Sequence, residues 1–270
     1  MSDFPSLDNK AIRQTRDALH AYARVLGDGL KAKRAKRKHW WHASLRPSLV
    51  GLTTGIVHDD VDYEIELDFR DSEISVRKAN GEQLHESLHG QSADQLAAFL
   101  QSAGIYVADP ATAASDEFRG YAPAEAKKLW RALAAVTDAM VTLRAGIREE
   151  TSPIQLWPHH FDLSMVWLPG QKISGQDPDN EEYADKQMNF GFVFGDEGID
   201  EPYFYVTAYP LPDALPSIEL PRGTIWQSEG FSGAVLLYKD LVEMDDPAVY
   251  LQDLWSRLYK AGQEYLATDE

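Results

Sequence analysis

The sequence predicts an α+β protein of two topologically similar halves, each a long helix, an antiparallel β-meander and a closing helix. Three observations carry this expectation: two long segments with apolar residues at helical spacing, a cluster of short period-two segments after each, and a capped helical segment closing each cluster. The expected boundaries are residues 1–108 for the first half, 109–122 for a small, polar, proline-containing linker, and 123–270 for a second half packed on the first. Identity between the halves is negligible, so the repeat rests on element order alone, and coincidence in a mixed chain is the alternative.

The first helix is expected from about Asn9 to Leu30, with Ile12, Leu19, Tyr22, Leu26 and Leu30 on one face. Strand-like runs follow at Trp40 to Leu52, Val61 to Phe69, Glu73 to Lys78 and Gln83 to Leu88, and YEIELDF alternates with the period of a half-buried strand. Asn80-Gly81 supplies the residues of a two-residue hairpin. Ser92 with Gln95 forms a capping box for a helix that stops near Gly104. A second long helix starts with Pro123 in its first turn and carries Leu129, Leu133, Val136, Met140, Leu143 and Ile147 at alternating spacings of 4 and 3. Strands are expected at Ile154 to Leu168, Met188 to Phe194, Tyr203 to Tyr209 and Ala234 to Tyr238, before a closing helix capped by Asp246 with Pro247 behind it.

Of 270 residues, 43 are acidic and 26 basic, a formal net charge of −17, and none is cysteine. Disulfides, thiolate nucleophiles and thiolate metal sites are thereby excluded. The negative charge disfavours nucleic acid and anionic membranes as partners. No window approaches the roughly 18 to 20 apolar residues of a membrane span, and no export signal is visible, so a cytoplasmic location is expected with no membrane partner.

One basic run interrupts the acidic chain: Lys31 to Lys38 holds six Lys or Arg among eight residues and leads into His39-Trp40-Trp41-His42. Lys33, Arg34 and Arg37 are the candidate anion-binding residues, either for a small ligand or for docking an acidic partner protein; a solvated helix end is the plain alternative. On a strand, His39 and Trp41 would face one way and Trp40 and His42 the other, which argues against a two-histidine metal pair. His42, His160 and Asp162 form a candidate three-ligand metal set, against hydrogen-bonded structural roles or a metal-free pocket. No cofactor is expected. The strand PYFYVTAYP places Tyr203, Tyr205, Thr207 and Tyr209 on one face, and MNFGFVF places Gly191 between Asn189 and Val193 on its smaller face, a combination that suits the floor of a small-molecule pocket or ordinary sheet packing. Nucleotide-binding, serine-hydrolase and zinc-protease motifs are absent.

The blocks K-x-H-W-W-H, L-x-x-x-G-L-T-T-G, Y-E-I-E-L-D-F, S-P-I-x-L-W ending in F-D-L, and P-x-F-Y-x-x-A-Y-P occur here in that order between about Lys38 and Leu258. In them the chain resembles a bacterial family catalogued as domain of unknown function 5996. The resemblance implies no reaction, but it points to His39, Trp40, Trp41, His42, Phe161, Asp162, Tyr205 and Tyr209. His159 and His160 depart from its pattern, which leaves His42 with Asp162 as the acid/base candidates. The expected function is therefore a small-ligand-binding protein or an enzyme of unknown reaction, with aromatic walls and a His42/Asp162 polar centre between the halves. The alternative is an interaction module without catalysis that docks an acidic partner through residues 31–38.

Overall fold

In a computed structural model the chain is an α+β fold with two antiparallel sheets; the structure describes residues 3–108, 120–180 and 182–267. Most of the linker expected at 109–122 therefore lies outside the described residues. The residues group into two compact units, Pro5–Ala134 with Gln155–Phe161, and Met1–Phe4 with Ala135–Ile154 and Asp162–Glu270. No helix among the described residues is long and apolar enough to cross a membrane.

The first unit begins with α1 (Asn9–Lys33), whose start is held by the Asp8 carboxylate accepting the amides of Lys10 and Ala11 at 2.9 and 3.2 Å. The five expected face residues, Ile12, Leu19, Tyr22, Leu26 and Leu30, are all buried. A five-stranded meander follows: β1 (Arg46–Pro47), β2 (Gly51–Thr53), β3 (Tyr63–Asp68), β4 (Glu73–Lys78) and β5 (Gln83–Ser87), paired in sequence order. On β3 the buried residues are Tyr63, Ile65 and Leu67, alternating as the sequence predicts.

The β4–β5 hairpin differs from the expected two-residue turn. The Lys78 amide donates to the Glu82 carbonyl and the Gly81 amide to the Lys78 carbonyl, so three residues form the loop, and only Gly81 takes positive φ (91°). Asn80 instead uses its side-chain oxygen to accept the Glu82 amide at 3.0 Å, which holds the turn without a left-handed backbone of its own. Helix α2 (Ala93–Ser102) then opens on a complete capping box, the Ser92 hydroxyl accepting the Gln95 amide at 3.2 Å and the Gln95 side chain accepting the Ser92 amide at 2.8 Å.

Helix α3 (Pro123–Ala145) follows, with Leu129, Leu133, Val136, Met140 and Leu143 buried and Ile147 beyond its end. The expected strand from Ile154 is broken in two. Strand β7 (Gln155–Trp157) belongs to the first unit, where the Leu45 and Leu156 backbones pair, and a turn with Phe161 at φ 55° separates it from β8 (Asp162–Leu168).

The second unit's sheet runs β11 (Thr224–Gln227), β12 (Gly233–Leu237), β10 (Tyr203–Tyr209), β9 (Gln187–Val193), β8, β6 (Glu150–Thr151). Its last strands do not follow a meander, because β12 inserts between β10 and β11. Leu163, Met165 and Trp167 of β8 share a face with Phe190 and Phe192 of β9 and Phe204 and Val206 of β10, all buried. A short helix, α4 (Tyr238–Val242), precedes α5 (Pro247–Leu266), which is capped by Asp246 as expected and lies on the apolar face. The approach is close: a side chain at Gly262 would bring Cβ to 2.1 Å from the Met188 sulfur.

Candidate functional site

The expected HWWH strand is instead a 3-10 turn, Lys38–Ala43, in which His39 (φ 48°, ψ 33°) and Trp40 (φ 58°, ψ 21°) are both left-handed. Neither residue favours that region; its cost is about 1–2 kcal/mol per residue, so the surroundings must impose it. Trp40 stacks on His42 with ring centroids 5.6 Å apart, and the Lys31 and Lys36 ammonium groups stand 4.9 and 5.7 Å from the Trp40 ring centre. His39 stacks on Trp41 at 6.0 Å. The Arg37 amide donates to His42 Nδ1 at 3.1 Å, and the following residue, Ser44, donates to Gln155 Oε1 at 2.8 Å in a buried contact shared with Arg46. The i, i+2 partners expected from strand alternation thus meet, on a different backbone.

Much of the basic run is engaged within the chain. Lys33 Nζ pairs with the Asp59 carboxylate at 2.7 Å and stands 5.8 Å from the Tyr106 ring centre. Arg34 donates to the carbonyls of Thr54 and Ile56 at 2.5 and 3.2 Å, and burial pulls its guanidinium below its ordinary pKa. Of the three anion-binding candidates only Arg37 is left with an exposed side chain outside these contacts. The exposed His160 stands beside His159, while Phe161 stacks on His20 at 5.4 Å.

In the second unit Asp162, Tyr205 and Tyr209 fall on one sheet, and the first two meet. Tyr205 lies opposite Gly191, and Gly191 opposite Ser164, so the ring crosses the strand that carries no side chain there. A Cβ at Gly191 would fall 2.1 Å from Tyr205 Cζ, and the Tyr205 hydroxyl donates to Asp162 Oδ2 at 2.5 Å. Burial first, and then the Asp162 charge, raise the Tyr205 pKa well above its ordinary value. The phenol is therefore a donor at neutral pH, one that orients the Asp162 carboxylate. Tyr209 packs apart from this pair, edge-on to Tyr183 at 5.0 Å.

A well-defined cleft involves residues that the sequence does not single out as a site, Lys33 excepted. A cleft of about 580 Å3 is formed in the first unit by the end of α1 (Lys33), the loop before β3 (Asp59, Asp60, Val61), Tyr63, the β4–β5 turn (Lys78, Asn80) and the end of α2 (Gln101 to Val107). Tyr63 is 5% exposed, and among the described residues its hydroxyl has no hydrogen-bond partner. Burial, reinforced by Asp59 and opposed by Arg34, raises its pKa. Tyr106, 48% exposed, offers an open ring. A hydroxyl ending the otherwise aliphatic stripe of β3 was the available sequence signal, but the other walls come from segments up to 44 residues away, beyond any motif.

Among the described residues no group of three or more His, Asp or Glu is placed to hold a metal ion, which leaves the His42, His160 and Asp162 set without a cluster to rest on. A family model for DUF5996, a family of unknown function, matches residues 4–270. The chain belongs to this family. The match reaches beyond the Lys38 to Leu258 span of the shared blocks to cover nearly every residue, so both units are family territory. No curated protein and no solved structure matches the chain.

Proposed function

We propose that this protein binds a small molecule in the Tyr63 cleft. The observation that carries the reading is a tyrosine hydroxyl without a hydrogen-bond partner among the described residues, on the wall of a cleft whose volume lies inside the range of about 300–1,000 Å3 usual for small-ligand sites. A ligand atom that pairs with this hydroxyl gains a hydrogen bond of about 0.5–1.5 kcal/mol.

A second reading, with catalysis, draws on the consecutive left-handed His39 and Trp40, because backbone strain of this kind concentrates at functional sites. There the His39, Trp40 and Trp41 rings would hold the ligand and His42 would be the acid/base candidate. The docking-module alternative is weakened by the Lys33 and Arg34 contacts within the chain.

One experiment separates the two leading readings: a metabolite library screened by thermal shift on the wild type, Tyr63→Phe and His42→Ala. A stabilising compound whose effect is lost in Tyr63→Phe and kept in His42→Ala supports the cleft. The opposite pattern moves the site to the HWWH turn.

A further inference from the structure

We infer that the ligand of the Tyr63 cleft is a small, neutral, polyhydroxylated compound of the saccharide class; this rests on the cleft being the binding site. The cations on its wall are committed. Lys33 is paired with Asp59 at 2.7 Å, and Lys78 with Glu82 at 2.8 Å. Asp60 lines the same cleft with no ion pair among the described residues. A phosphate or carboxylate would therefore find no uncommitted cation there and would face the Asp60 charge. A cationic ligand would compete with Lys33 for Asp59 and meet Lys78.

What the wall offers instead is groups that both donate and accept. The Tyr63 hydroxyl does so, as do the Gln101 and Asn80 amides, the latter partly engaged by the amide and carboxylate of Glu82. A sugar hydroxyl is itself donor and acceptor, so a ring of hydroxyls can match such a wall without carrying charge into it. The open Tyr106 ring supplies an apolar plane for the C–H face of a sugar.

The test is ligand-observed and protein-observed NMR with glucose, trehalose, maltose and myo-inositol, against inorganic phosphate, AMP and spermidine, on the full chain. The expected result is saturable binding of at least one neutral probe, with shifts at the Tyr63, Gly104 and Tyr106 amides. Tyr63→Phe should weaken it about tenfold, the loss of one hydrogen bond. Gln101→Ala, at an exposed position, should weaken it without touching the fold. If only phosphate, AMP or spermidine shifts these amides, the cleft binds ligands and the saccharide inference is overturned. Failure of every probe to shift them overturns the inference, and if the library screen also finds no Tyr63-dependent compound the binding reading falls with it.

Discussion

His20 shows how a titratable ring is built into a helix face without its charge. Its Nε2 donates to the His159 carbonyl at 3.0 Å while the ring lies on Phe161, and burial holds its pKa below the usual 6.5. Burial lowers His159 too. A folded pKa below the unfolded one means that the unfolded chain binds the proton first. The contribution of His20 is thus present above about pH 6.5 and is lost as pH falls toward the folded pKa. His20→Gln keeps a donor for the carbonyl and removes the titration. We expect the melting temperature of the wild type to fall relative to His20→Gln between about pH 7.5 and about pH 5.5. Parallel curves would show that the ring is not held neutral. The sequence places His20 on α1, but its partners come from residues about 140 positions away, and nothing local announces them.

At the scale of elements, legibility follows how local the determinants are. The α2 capping box is contained in four consecutive residues, Ser92 to Gln95, and forms as read. Replacing Ser92 with Ala removes the acceptor for the Gln95 amide and should cost about 1 kcal/mol in urea unfolding. A loss below about 0.3 kcal/mol would mean that water replaces the cap at no cost. The alternating β3 was equally open to reading, since period-two burial is carried by its own side chains. The HWWH segment was not. Nothing in Lys38 to Ala43 resembles a left-handed signal such as glycine or asparagine. Its turn is imposed by Lys31, Lys36 and the amide of Arg37 around the rings, and by Ser44 and Gln155 behind them. The two-residue β6 and the four-residue β11 carry too few side chains to state a period at all.

For the molecule as a whole, the fold class was readable because long helices and alternating strands repeat their signals many times, whereas the cleft is written across four separated segments. Its wall joins residues 33, 59–63, 78–80 and 101–107, and no two of these segments share a motif. The candidate residues that the sequence itself put forward, His39 to His42, Asp162 and Tyr205, are those packed into short blocks. The charge of −17 acts at this scale as well. Self-repulsion destabilises a compact acidic chain, and salt shortens its range from about 30 Å at 10 mM to about 8 Å at 150 mM. The melting temperature should therefore rise between those two NaCl concentrations at pH 7, measured by calorimetry. A fall would mean that the ion pairs, such as Lys33 with Asp59, outweigh the net repulsion.

The backbone amide that His42 receives from Arg37 also fixes the tautomer in which that ring rests. With the Nδ1 lone pair occupied, the hydrogen of the neutral imidazole resides on Nε2. In any reaction in which His42 took part, the neutral ring would give a hydrogen bond from Nε2, and it could take up a proton at Nδ1 only by releasing the peptide amide. The peptide of Arg37 thus works as a latch on the basic nitrogen of the imidazole.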